Sequence, residues 1–165
     1  MKKTIALVTG ILVLGATVAF AESEVSGKVV NKAKIDKSAN IALGKDSTAR
    51  MGSVSMKDSK VSGTVVNDVK VDKSANIALG KGSEANMGSV SMKDSEVSGK
   101  VVNKAKIDKS ANIALGKGSK ANMGSVTLKD SKVSGTIVND AKVDKSANIA
   151  LGKGSEASMG SVTAE

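Results

Sequence analysis

The sequence predicts an all-β chain: a parallel β-solenoid of four 36-residue repeats, preceded by a helical signal peptide. Three observations predict it. The string Asp36-Lys37-Ser38-Ala39-Asn40-Ile41-Ala42-Leu43-Gly44-Lys45 returns unchanged at 72–81, 108–117 and 144–153, each time 36 residues on, and a fixed period of this length marks a repeat architecture. The repeated unit is rich in Val, Ile, Ser and Asn and is punctuated by Gly and by Asp-Lys-Ser, which is strand-and-turn chemistry. The one aromatic residue, Phe20, falls before the first repeat. An aromatic-centred core is therefore out of reach, whereas stacked identical layers can pack on Val, Ile, Leu, Met and Ala alone.

The N-terminal segment reads separately. Lys2 and Lys3 precede an uncharged, mostly apolar run from 4 to 18, and Ala19-Phe20-Ala21 fits the small-x-small pattern for cleavage. Together they predict a signal peptide over 1–21 that is removed on export. The competing reading, an uncleaved anchor, is weakened by the short run and by Gly10 and Gly15. A cut after Ala21 leaves 22–165, which divides into four whole units, 22–57, 58–93, 94–129 and 130–165. The expected mature chain has no membrane span. The absence of Cys excludes disulfides and a lipidated cysteine.

Within a unit the elements follow in order. Val25, Gly27 and Val29 alternate with polar residues, as do Ala33 and Ile35, and the unit reads as extended pieces of about five to seven residues broken by Gly or by Asp-Lys-Ser. Asp-Lys-Ser then makes a turn. In 39–43, Ala39, Ile41 and Leu43 share one face and Asn40 and Ala42 the other. The expectation is that Ile41 and Leu43 face inward, with Val29 and Met51. The Gly, Ser, Asn and β-branched content argues against helical pairs. A six-residue cadence of Ser, Val or Ile runs from Ser23 to Ser161 and suits a coiled sheet. It leaves open whether one unit makes one broad coil or two coils of 18 residues.

Differences between units carry further information. Glu24, Lys60, Glu96 and Lys132 are equivalent, as are Lys32, Asp68, Lys104 and Asp140, and the sign alternates in both sets. Directly stacked strands lie ~4.8 Å apart, so each charge would meet its opposite. Descent from a duplicated two-unit ancestor explains the alternation equally well, since Ile35, Val71, Ile107 and Val143 alternate without charge. Two asparagine columns, Asn31, Asn67, Asn103, Asn139 and Asn40, Asn76, Asn112, Asn148, suit amide ladders along the axis. The other reading is that Asn serves the turns.

The chemistry of catalysis is missing from the residue set. No His or Cys is present, which removes the commonest bases, nucleophiles and zinc ligands. Lys, Asp, Glu and Ser recur in rows rather than converging at one place, so no enzyme activity, cofactor, metal site or small-molecule substrate is expected. The Gly-Lys pairs lack the phosphate-loop frame. Rows beginning at Asp36 and Asp58 are best read as solvated turn carboxylates. The chain carries 25 Lys and Arg against 16 Asp and Glu, and setting aside Lys2 and Lys3 lowers its net charge from +9 to +7. Such a surface can meet polysaccharide, lipid head groups or extracellular DNA, though lysines that alternate with acids also serve simply to guard strand edges.

Ser74-Ala75-Asn76-Ile77-Ala78-Leu79-Gly80-Lys81-Gly82-Ser83-Glu84-Ala85 resembles the Ser-x-Ala-x-Gly-x-x-Ser-x-Ala pattern in head domains of trimeric autotransporter adhesins. That resemblance implies a parallel β-roll. The unit running from Asn103 through 108–122 resembles the repeats of functional-amyloid fibre subunits of Gram-negative bacteria, which implies an exported fibre-forming chain. This chain departs from the first in its longer repeat and from the second in its charge and its lack of Gln. The expected function is an exported structural or interaction protein: a fibre, matrix or adhesive surface subunit that stacks head to tail with copies of itself. The alternative is a secreted or periplasmic binding module for an anionic polymer.

Overall fold

A computed structural model describes residues 11–12, 18–21 and 24–164. Each 36-residue unit makes one complete coil of four parallel-stacked strands. The first coil comprises β3 (Glu24–Asp36), β4 (Ala39–Leu43), β5 (Thr48–Met51) and β6 (Val54–Lys57). The second repeats this as β7 (Lys60–Asp72), β8 (Ala75–Leu79), β9 (Glu84–Met87) and β10 (Val90–Lys93). The third is β11 (Glu96–Asp108), β12 (Ala111–Leu115), β13 (Lys120–Met123) and β14 (Val126–Lys129). The fourth is β15 (Lys132–Asp144), β16 (Ala147–Leu151), β17 (Glu156–Met159) and β18 (Val162–Ala164). Two short strands, β1 (Ile11–Leu12) and β2 (Val18–Ala21), precede them.

Four sheets result, ordered β1-β3-β7-β11-β15, β16-β12-β8-β4, β17-β13-β9-β5 and β18-β14-β10-β6-β2. Register between coils is an offset of 36 throughout, for example Val101 against Val65 and Ile137. The choice between one and two coils per unit is thereby decided. Equivalent residues are direct neighbours at the ~4.8 Å strand spacing.

The segment 24–36 forms one strand of 13 residues rather than shorter pieces. Its inward residues keep one parity on both sides of the glycine, as Val61 and Val65 do, and the asparagine is itself an inward residue, while the glycine position is not buried. Glycine is required within it. Gly63, Gly99 and Gly135 have φ near 131–137°, and a Cβ on any of them would run into the carbonyl oxygen of the equivalent glycine one coil earlier.

Three of the four corners of each coil reuse one device. At Asp36-Lys37-Ser38, Lys37 takes a left-handed φ of 48°, and Ser38 Oγ donates to the Asp36 carbonyl at 3.0 Å. At Lys57-Asp58-Ser59, Asp58 takes φ 49° and Ser59 Oγ donates to the Lys57 carbonyl at 2.7 Å. At Met51-Gly52-Ser53 a glycine takes the left-handed place, because a Cβ there would sit 2.6 Å from Val69 Cγ1. The serine hydroxyls replace backbone partners that a sharp corner removes. They also link the coils: the Ser74 N–H donates to Ser110 Oγ at 3.2 Å, and the Ser125 N–H to Ser89 Oγ at 3.3 Å.

The interior falls into three apolar columns. One joins Val29, Val65 and Val101 to Val54, Met56, Val90 and Met92. A second joins Ile35, Val71 and Ile107 to Met51, Met87 and Met123. The third, at the far end of the coil, contains only alanine: Ala78 and Ala114 against Ala49, Ala85 and Ala121.

The expected inward face of 39–43 is corrected. Val29 and Met51 face inward, at 1% and 4% exposed, but Ile41 and Leu43 face out, at 57% and 69%. The two faces of 39–43 divide as alternation requires, with the opposite side inside. Between β4 and β5 the interior holds Ala42 against the alanine column of Ala49 and the Asn40 amide, which donates to the Arg50 carbonyl at 2.8 Å. The predicted helical signal peptide lies for the most part outside the described residues; of it, 11–12 and 18–21 are extended and pair with β3 and β6. Lys2, Lys3 and most of the apolar run lie outside the described residues. Among the described residues no helix is long and apolar enough to cross a membrane.

Candidate functional site: the ladders and the stacking edges

The two asparagine columns stand inside the coil. Asn31 Nδ2 donates to Asn67 Oδ1 at 2.8 Å, Asn67 to Asn103 at 2.8 Å, and Asn103 to Asn139 at 2.9 Å. The second Nδ2 hydrogen reaches across the interior: Asn103 donates to the Gly124 carbonyl at 3.1 Å. This polar column lies between the two larger apolar ones. The other column runs Asn40 to Asn76 at 3.0 Å, Asn76 to Asn112 at 2.8 Å and Asn112 to Asn148 at 2.9 Å. Its amides also bond carbonyls of the facing strand, as Asn76 does to Asn86 O at 3.1 Å. An interior member is thus satisfied on both sides, which removes the ~1–3 kcal/mol cost of a buried unpaired amide. Both ladders have one polarity, Nδ2 pointing toward the next coil.

The charged columns run outside. Glu24 pairs in register with Lys60, Lys60 with Glu96, and Glu96 with Lys132. Lys32, Asp68, Lys104 and Asp140 pair likewise. The Lys60 ammonium lies 4.0 Å from the Glu96 carboxylate, both well exposed. Exposed pairs of this kind are each worth ~0–1 kcal/mol, so they select register more than they stabilise it.

Other features were missed in the sequence. Asn122 Nδ2 donates to Asn86 Oδ1 at 2.9 Å, a third ladder. It occupies only the two middle units, with Arg50 and Ser158 at the ends, so no four-fold column drew attention to it. The serine ladders were legible in principle, since Asp-Lys-Ser and Gly-Ser return in every unit. A groove of about 190 Å³ separates the outer faces of the β5 and β6 sheets, lined by Arg50, Lys57, Lys93, Lys120, Lys129 and Glu84 among others. The most prominent missed feature is the outer face of the β4 sheet, where the Ile41 and Leu43 columns are displayed.

The two ends of the stack differ. At the first coil, β1 pairs with β3 and β2 with β6, placing the predicted cleavage residues Ala19 and Ala21 beside Ser55 and Lys57. Val29 and Met56 in that coil are each 1% exposed. At the last coil Met159 is 45% and Val162 51% exposed, although their equivalents Met123 and Val126 are both fully buried at 0%. Among the described residues β15, β16, β17 and β18 are the edge strands of their sheets, and an edge strand is a template for further pairing.

Among the described residues no group of three or more His, Cys, Asp or Glu side chains gathers as a metal site. Compared with protein-family models, curated proteins and solved structures, the chain matches none.

Proposed function

We propose that this chain is an exported structural subunit that stacks head to tail into a filament or matrix at the cell surface. The observation that carries the reading is the constant 36-residue register, which leaves the columns of the fourth coil in phase for another first coil. Lys132 would meet Glu24 of a following molecule and Asp140 would meet Lys32. Met159 would cover Met51, and Val162 would cover Val54. Asn139 and Asn148 would donate to Asn31 and Asn40, continuing both ladders in their existing polarity. A heterologous contact that does not close yields a filament.

The leader bears on this directly. β2 occupies the edge of β6 that an incoming β18 needs, so stacking requires residues 1–21 to leave. Electron microscopy of the chain beginning at Glu22 should show filaments, and the chain retaining 1–21 should stay short. The Lys132→Glu, Asp140→Lys double substitution should slow assembly at low salt. A chain that begins at Glu22 and remains monomeric at high concentration contradicts the proposal.

The lysine-lined groove favours a second reading, a secreted module for an anionic polymer. Binding that falls steeply as salt rises, with no change in particle size, would favour it over the filament.

A further inference from the structure

The outer face of the β4, β8, β12 and β16 sheet presents only Ala, Ile and Leu. The columns that begin at Ala39, Ile41 and Leu43 run through all four coils in register, with no polar side chain between them on that face. In the outer coils Ile41, Leu43 and Leu151 are 57%, 69% and 60% exposed, and in the two middle coils Ile77, Leu79, Ile113 and Leu115 are half-buried between their neighbours. Folding did not require this arrangement, because the sheet is held from inside by alanine packing and the asparagine ladder.

Lysine rows border the stripe on both sides. The row beginning at Lys37 stands at one end of each strand and the row beginning at Lys45 at the other, all eight residues exposed. In the first row, Lys73 and Lys109 lie 3.6 and 3.4 Å from Asp72 and Asp108. In the second, Lys45 has Asp46 at 3.9 Å. The next three coils carry Gly82, Gly118 and Gly154 in place of that aspartate. Among the described residues Lys81, Lys117 and Lys153 have no ion pair.

We propose that this face docks on the surface of an anionic lipid bilayer. The aliphatic columns enter the boundary between head groups and acyl chains, and the lysine rows lie over the head groups, with their methylene stems crossing the apolar zone. Charge decides against the other occupants. A second copy placed face to face by a two-fold axis along the strands sets the Lys45 row on its own copy, and the other orientation sets it on the Lys37 row, whose Asp72 and Asp108 already engage lysines. A soluble polyanion satisfies the lysines and leaves Ile and Leu in water. Nucleic-acid bases would find no aromatic side chain to stack on. The proposal does not rest on filament formation, since a single chain of four coils carries the whole face.

Flotation of the full chain with vesicles of phosphatidylethanolamine and phosphatidylglycerol (three to one) tests it, because bound chain rises with lipid while filaments sink. Binding should be about tenfold or more tighter than to phosphatidylcholine vesicles, and should weaken as salt rises. The Leu79→Ser, Leu115→Ser double variant should bind about tenfold or more weakly with an unchanged far-UV spectrum. Lys81→Gln, Lys117→Gln should lose several-fold and flatten the salt dependence. All variants keep the same leader, so a loss reports on the face. Equal binding to both vesicle types, or serine variants that float like the parent, would overturn the proposal. So would displacement by soluble polyphosphate to an extent indifferent to the leucine changes, or lipid-free pairing that the leucine changes abolish.

Discussion

The two ends of each coil solve the same packing problem in opposite ways. Where β3 faces β6, Val29 and Val65 meet Val54, Met56 and Met92, and large aliphatic side chains fill the gap. Where β4 faces β5, Ala42, Ala78 and Ala114 meet Ala49, Ala85 and Ala121, and the amides of Asn76 and Asn112 take the remaining room. Both ends carry an alternating strand with branched aliphatics on one face. At the wide end those aliphatics go in, and at the narrow end they go out. What the opposing strand offers decides which: valine and methionine side chains at one end, alanines and backbone carbonyls at the other. An alternating pattern therefore specifies two faces but leaves their assignment to the partner wall.

Substitutions can break or sharpen this contrast. The largest effect is expected at the wide end. Met92→Ala removes a fully packed side chain from between coils and should cost about 3 kcal/mol, read as a lower urea midpoint. Asn112→Leu tests whether the narrow end depends on hydrogen bonds or on volume. It leaves Ala85 O and Asn122 O without the amide they accept from and interrupts the ladder, so a loss of roughly 2–3 kcal/mol is expected. A neutral result would mean that leucine-sized bulk fits there and that the narrowness is overstated. Ala114→Leu asks the same of the alanine column and should cost about 1–2 kcal/mol through overpacking, measured by thermal denaturation. The smallest effect is expected at Leu43→Ser, which changes more apolar surface on paper than any of these. Because Leu43 already lies in water, its urea midpoint should move by under about 0.5 kcal/mol of stability. A large loss there would place the side chain in a packed environment.

The energetics of the two ends also separate stability from specificity. The valine and methionine columns supply apolar burial, which is non-directional and would tolerate some slip of one coil over the next. The ladders do not. Moving one coil by a single residue takes Asn103 off both Asn67 and Asn139 and turns it to the outer face, while the charged columns lose their opposite partners. Register is thus held by groups that contribute little net energy individually.

How much of this was legible depended on the kind of signal. The 36-residue period, the β content and the division of each strand into two faces follow from the order of residues, because the strand repeat of two is a local property of the backbone. The absence of aromatics pointed to thin stacked layers. The charge alternation pointed to direct stacking without deciding it, since descent offered the same pattern. The single 13-residue strand was hidden by Gly27 and Asn31, which read locally as breaks. Both continue the strand: equivalent glycines let adjacent coils approach, and the asparagines find partners in the coils above and below.

What only the tertiary structure decided is which face looks inward and what each polar column bonds to. Ile41 and Leu43 are more hydrophobic than Asn40 and Ala42, and transfer energy alone sends them inside. They are outside because the opposing strand offers alanines and backbone carbonyls, so that Ala42 packs inside and the Asn40 amide, bonded there, loses nothing by burial. Neither the alanines nor the carbonyls of a strand about ten residues further on are a property of the segment itself. Local order determined the strands, their period and their two faces. The closure of the coil chose between the faces, because burial is a relation between two surfaces and the sequence of one strand describes only its own.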